Sequence, residues 1–165
     1  MTRPTWDTTW IQLAILMAKR SRCPTGAGCV IVDSQRSIIQ TGYAGPPAEF
    51  LTVEEELADT CLAYCQRPWT EGALRDPGYR DCPSVHAELN ALMRADLSRV
   101  RGGTIYVSSA ICGLCVKTVA NSGVVRAVWP RLPGLEYRDE AFTTGYLERC
   151  QIRVDVIDWN LEKET

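Results

Sequence analysis

Two short motifs hold the side chains best suited to chemistry. His86-Ala87-Glu88 sets an imidazole and a carboxylate two residues apart, and Cys112-Gly113-Leu114-Cys115 sets two thiols three apart. The chain has one histidine against eight cysteines, so any Ser-His-Asp or Cys-His scheme must use His86. Residues two apart on a regular helix point to nearly opposite sides, so His86 and Glu88 share a target only across a helix's N-terminal end. The preceding Cys82-Pro83-Ser84 suits such a helix start. At i and i+3 the two sulfurs face one way and can close to the roughly 3.7 Å that two tetrahedral zinc–thiolate bonds imply. Alone, H-x-E also reads as a capping histidine and a solvated glutamate, and C-x-x-C also reads as a thioredoxin-like redox pair or half of a structural metal site. Together they offer zinc one imidazole and two thiolates with a fourth position open, the arrangement that generates hydroxide from water at neutral pH. Glu88 is then the proton carrier rather than a fourth ligand.

The elements that must position these groups follow from the periodicity. Residues 6–20 place Trp6, Trp10, Leu13, Ile15, Leu16 and Met17 near helical spacing with basic residues at the end. AGCVIVDS and SIIQTGY, separated by a turn at 34–36, read as a hairpin. A helix over 85–97, with Leu89, Leu92, Met93 and Leu97 as its apolar positions, precedes a loop and a strand at 103–109. CGLCVKTVANSG predicts a helix capped by Gly123, VVRAVW a strand up to Pro130, and the remainder repeats helix then strand. This alternation predicts a three-layer α/β domain whose later strands are parallel. Between them, residues 44–84 are irregular apart from a short helical stretch in VEEELADTCLAYC, too long for a bare loop in a compact domain.

The 165 residues are 45% hydrophobic, enough for one core and a squeeze for two domains. A net charge of -2 with interspersed signs gives no basic field for a phosphate backbone, which disfavours duplex binding. No apolar run approaches the roughly 18 residues that cross a bilayer, and MTRPTWDTTW lacks a secretion-signal layout. The expectation is a cytoplasmic protein without a membrane partner.

H-x-E followed by C-x-x-C is the signature of the zinc deaminases, and within that superfamily the chain resembles the deoxycytidylate (dCMP) deaminases. SRCPTGAGCVIVD, TGYAGPP, CPSVHAELNALM, GGTIYVSSAICGLC and VANSGVVRAVW carry the likeness across most of residues 5–130. The resemblance implies a cytidine deaminase-like α-β-α fold, a mixed five-stranded sheet with helices on both faces, formed by residues 1–165 as a single domain with the insert at about 44–84. It implies hydrolytic loss of the 4-amino group from a free cytosine deoxynucleotide, dCMP to dUMP. His86, Cys112 and Cys115 would hold the catalytic zinc, and Glu88 would carry the proton from water to N3 and assist the departing amine. The backbone at Ala87 and around Ser109 and Ala110 would contact the base, Tyr43 and Ala44 belong to the substrate stretch, and Arg22 is the candidate for phosphate, a solvated surface arginine being its other reading. A homo-oligomer, commonly a hexamer, with dCTP and dTTP as effectors is implied as well. Two positions depart from the family: Ile111 stands where it usually has proline, which alters local backbone rigidity, and Ala44 where its asparagine contacts the sugar. Alanine has no donor or acceptor to replace that contact.

Six thiols remain. Cys29, in an apolar strand, and Cys150 read as small core residues. Cys23, Cys61, Cys65 and Cys82 make a Cys₄ set for a second, structural zinc that would hold the insert to the core; members of the resembled group often carry such an ion there. Three other functions stay open: the same fold acting on 5-substituted dCMP, dCTP, a nucleoside or another aminated heterocycle; a non-catalytic zinc-stabilised binding module; and a nucleic-acid editor using Arg67 and Trp69 as a small platform.

Overall fold

A computed structural model of the protein describes residues 3–21, 23, 26–47, 83–131 and 140–159. Its sheet has five strands in the order β2-β1-β3-β4-β5, with β1 Gly28–Val32, β2 Ile38–Tyr43, β3 Thr104–Val107, β4 Arg126–Arg131 and β5 Arg153–Asp158. Strand β1 is antiparallel to both β2 and β3, while β3, β4 and β5 are mutually parallel. The expected hairpin and the expected parallel half are thus both present. Every residue of β1 is buried, which is why GCVIV is a continuous apolar run rather than an alternating one.

Helix α1, Trp6–Ala18, covers one face of the sheet. Thr5 caps it, its side chain accepting the Thr8 N–H at 3.1 Å. Trp10, Ile11 and Ala14 of α1 pack with Val30, Val32, Tyr106, Val128 and Trp159. Trp6 and Leu16, which share the apolar spacing, stay exposed. An ion-pair network anchors this helix. Asp7 accepts two hydrogen bonds from the Arg126 guanidinium, both 2.8 Å, and one from the Tyr106 hydroxyl at 2.7 Å, and Asp155 pairs with the same guanidinium. The Arg126 contact holds the Asp7 carboxyl below its ordinary range.

The other face carries α2 Ala87–Leu92, α3 Leu97–Val100, α4 Val116–Asn121 and α5 Glu140–Arg149, which bury Ala87, Ala91, Leu92, Val100, Val116, Val119 and Leu147 against Cys29, Ile31, Ile105, Ala127 and Trp129. Helices therefore lie on both faces, and the core is two apolar layers separated by the sheet. Gly123, at φ 93°, follows α4 in the left-handed conformation that ends a helix.

Two expectations are corrected. The single helix over 85–97 is two, because Asp96 turns its carboxylate onto the Ser98 N–H at 2.9 Å and starts α3; Met93, at the end of α2, is 71% exposed, and Val100 rather than Leu97 enters the core. Cys150 is exposed. It follows the last turn of α5, its N–H bonding to Tyr146 and Leu147 carbonyls, which carries it past the helix's buried side. The greater part of the expected insert, with its short helical stretch, Arg67 and Trp69, lies outside the described residues.

Two glycines set how closely helices approach the sheet. A Cβ on Gly28 would lie 2.0 Å from the Ala14 carbonyl oxygen of α1, and one on Gly42 would lie 2.3 Å from the Ala87 carbonyl oxygen of α2. Cys29 pairs with Gly42, and Gly28 is its neighbour, so the two glycines open opposite faces of adjacent strands. Because the obstructing atoms are backbone, Gly42→Ala is expected to lower stability by about 3 kcal/mol through overpacking. Urea unfolding of the pure protein measures this, and an unchanged midpoint would mean that α2 slides freely on the sheet.

Candidate metal centre

The two motifs converge at the ends of two helices. His86 is the N-cap of α2, with extended backbone (φ -69°, ψ 155°), and Glu88 falls in the first turn behind it. That is the placement which lets residues two apart face one target. Cys115 is the N-cap of α4. The Cys112 carbonyl accepts the N–H groups of Cys115 at 3.1 Å and Val116 at 3.0 Å, closing a turn that puts both sulfurs on one side. The centre follows the carboxyl end of β3, where open α/β sheets place their ligands.

His86 Nδ1 lies 3.3 Å from the sulfurs of both Cys112 and Cys115, and the three donor atoms all fall within 4.8 Å of one another. Tetrahedral zinc with bonds of about 2.0 Å to nitrogen and 2.3 Å to sulfur implies a nitrogen–sulfur separation near 3.5 Å. One imidazole and two thiols at that spacing, partly to fully buried, suit zinc in both donor type and geometry. The equal approach of Nδ1 to both sulfurs also speaks against a simple redox pair, in which the two sulfurs need only each other.

Electrostatics at the centre favour thiolate at Cys112. Cys115 donates to Cys112, and with His86 beside it the Cys112 thiol is pulled down to about 4 while Cys115 is pushed up. The first turns of α2 and α4 add the positive ends of their backbone dipoles. Glu88, only 5% exposed, has its carboxyl raised above the ordinary range, burial being the main cause, and also bonds Cys115. Cys29, fully buried beneath the centre, is pushed well up by burial and by the Glu88 charge; it is a core thiol, as expected.

Around the centre, Ala87 is fully buried and Ser109 and Ala110 are partly exposed on the segment leading to Cys112. Tyr43 ends β2. Ala44 is buried with Cys23 and Ala27, its N–H bonding the Ala27 carbonyl and its own carbonyl accepting from Ser21 Oγ at 2.7 Å. Ile111 is fully buried. Arg22, Cys61, Cys65 and Cys82 lie outside the described residues. Of the Cys₄ set, only Cys23 is described, as a buried thiol.

Two residues absent from the sequence reading shape the site. Asn90 Nδ2 donates to the Tyr43 carbonyl at 2.9 Å and the Val85 carbonyl at 3.3 Å, while its N–H bonds the His86 carbonyl. It ties the end of β2 to the start of α2. Its place four residues after His86, on the same helical side, was the available signal. Thr143 of α5 donates to the Ile111 carbonyl at 2.8 Å, a link across 32 positions that no local pattern betrays. A surface cavity of about 420 Å³ sits at the other end of the sheet, lined in part by Asp7, Tyr106 and Arg126, whose polar groups bond one another.

A five-stranded α/β sheet bearing one histidine, two cysteines and an adjacent buried glutamate defines the class of zinc-dependent hydrolytic deaminases. The model of the cytidine and deoxycytidylate deaminase zinc-binding region matches residues 4–130, and the chain belongs to that family. It is 35% identical over 138 residues to the deoxycytidylate deaminase of Mycobacterium phage D29, covering 79% of this chain and 98% of that protein. To the deoxycytidylate deaminase of Saccharomyces cerevisiae it is 34% identical over 129 residues, 77% of this chain but 38% of the yeast protein. Among solved structures, the dCMP deaminase of cyanophage S-TIM5 in complex with dCMP and dUMP superimposes with a TM-score of 0.67 at 22% identity, over 95% of this chain and all of that one. That likeness speaks to the fold. Among the described residues no helix is long and apolar enough to cross a membrane.

Each of His86→Ala, Cys112→Ser and Cys115→Ser is expected to lose one zinc per chain relative to the unaltered protein, counted by elemental analysis after dialysis. A Cys112→Ser protein that kept its full zinc would place the ion elsewhere.

Proposed function

We propose that this chain hydrolyses dCMP to dUMP and ammonia, with residues 1–165 acting as one deaminase domain. The observation that carries the reading is the buried Glu88 carboxyl beside the His86, Cys112 and Cys115 donors: a structural ion needs no proton carrier, and a redox pair needs no histidine ligand. His86, Cys112 and Cys115 would hold zinc, which would acidify a water so that it can attack as a nucleophile at neutral pH. Glu88 takes the proton released as water attacks C4 and gives it to N3 of the ring. The remaining proton, on the hydroxyl now at C4, passes through Glu88 to the 4-amino group, the C4–N4 bond breaks, and ammonia leaves as the C4 carbonyl forms. Burial raises the Glu88 pKa toward working pH, which suits a group that must both accept and return a proton.

In this reading the backbone at Ala87, Ser109 and Ala110 holds the base, Tyr43 and Ala44 bound the nucleotide, and Arg22 takes the phosphate. The relatives named deoxycytidylate deaminase support the choice of substrate. Cytoplasmic location, a homo-oligomeric state such as a hexamer, and dCTP and dTTP as effectors accompany it as expectations of the family. One observation favours a second substrate reading within the same chemistry. Ala44, packed on Cys23 and Ala27, brings no hydrogen-bonding group to its position, which leaves room for a 5-substituted dCMP, dCTP, a nucleoside or another aminated heterocycle.

Glu88→Gln is expected to retain zinc and to lose ammonia release by about 10²- to 10⁴-fold; near-full activity would end the proton-carrier role. Run side by side on dCMP, dCTP and 5-methyl-dCMP, the same ammonia assay is expected to favour dCMP, and turnover confined to either of the others would transfer the assignment to it.

We also propose that Cys23, Cys61, Cys65 and Cys82 bind a second, structural zinc, supported by the burial of Cys23 at the base of the insert. The expected stoichiometry is two zinc ions per chain, falling to one in His86→Ala. A single zinc in the unaltered protein would remove the second site.

A further inference from the structure

We propose that Thr143 is a positioning residue for the metal centre, its hydroxyl fixing the backbone from which the Cys112 side chain departs. The inference rests on the reading that His86, Cys112 and Cys115 hold zinc. Thr143 belongs to α5, beyond the residues 4–130 that the family model matches, and it is 0% exposed.

The geometry is specific. A helical threonine can bond its hydroxyl to a carbonyl three or four residues back in its own helix, yet Thr143 Oγ1 donates across to the Ile111 carbonyl at 2.8 Å. Ile111 is the residue before Cys112, and its φ lacks the restraint that a proline ring would impose. The carbonyl after it, that of Cys112, is held by the N–H groups of Cys115 and Val116. Peptide units are planar, so fixing the carbonyls on both sides of the Cys112 Cα fixes its two backbone dihedrals and hence the direction of its Cα–Cβ bond. Cys115 needs no such help, because it begins α4. The donor of this restraint is itself anchored: Trp129 Nε1 donates to Glu140 at the start of α5 at 3.1 Å, and Leu147 is fully buried further along. Helix α5 thus acts as a brace for one ligand of the centre.

The test follows zinc release from the folded, zinc-loaded protein to excess chelator at neutral pH, reading the kinetic phase that is absent from His86→Ala. Thr143→Val removes the hydroxyl at nearly constant shape, Thr143→Ser keeps it, and Ile11→Ala loosens the core layer that α1 forms with the sheet, apart from the layer that holds Ile111. The expected result is release about tenfold faster in Thr143→Val, with Thr143→Ser restored to the unaltered rate and Ile11→Ala changed only in its urea midpoint. Equal rates in Thr143→Val and the unaltered protein, or a Thr143→Ser as leaky as the valine variant, would overturn the proposal. Thr143→Ala replaces the valine variant in the comparison if the latter aggregates. Absence of the His86-dependent phase from the unaltered protein would instead overturn the zinc reading beneath it.

Discussion

Everything at the centre depends on two helix starts meeting within bonding distance of one ion. An imidazole from α2 and two thiols around the start of α4 come from segments 26 and 29 positions apart, yet Nδ1 reaches both sulfurs at 3.3 Å. Such a meeting requires α2 to lie close on the sheet. Gly42 permits it, because any side chain there would occupy the space of the Ala87 backbone, and Ala87 stands between His86 and Glu88. The close contact that packs the helix therefore also sets the height of both chemical groups above the strands. Packing and chemistry share one constraint here, so substitutions at Gly42 should not separate stability from zinc binding.

Burial then differentiates groups that would otherwise be alike. Cys29 and Cys115 are both fully buried and both thiols are pushed up, but only Cys115 faces an imidazole, a second thiol and a helix start, while Cys29 has the apolar sheet around it. Desolvation without a compensating partner keeps Cys29 neutral. The same desolvation acts on Glu88 with the opposite consequence for chemistry, since a carboxyl raised from its ordinary pKa exchanges protons more readily near neutral pH. At the far end of the sheet, Asp7 shows the contrasting case. Arg126 and Tyr106 satisfy its oxygens, its pKa falls, and the group is tied up in holding α1.

The sheet and most helices were legible because burial leaves periodic traces. The GCVIV run marks a strand buried on both faces, and the repeated helix-then-strand pattern after residue 103 marks parallel pairing. The convergence of the candidate donors was legible for a geometric reason: only a helix N-terminus reconciles His86 with Glu88, and only i, i+3 spacing aligns Cys112 with Cys115. What escaped was decided by single hydrogen bonds. Asp96 splits one expected helix in two through the Ser98 N–H. Asn90 and Thr143 act on backbone carbonyls distant in sequence, and carbonyls carry no residue identity for a pattern to register. Cys150 is apolar enough for a core, but its position after the last turn of α5 leaves it exposed.

The same carbonyl-directed bonds separate the centre from the insert. Gly45 and Val85, its two ends, are bridged by reciprocal N–H···O=C bonds of 3.1 and 2.9 Å, and Asn90 adds a donor to the Val85 and Tyr43 carbonyls. Val85 directly precedes His86, so the chain re-enters the domain at a point held by three hydrogen bonds before its first ligand appears. The cost of closing a loop grows only slowly with its length, and with its ends clamped in this way the length of the insert does not alter where His86 stands. On the opposite flank, Thr143 performs the equivalent service for Cys112. The three donors are therefore braced on both sides by side chains outside the donor set, and their geometry belongs to the whole domain rather than to the two motifs that announce it.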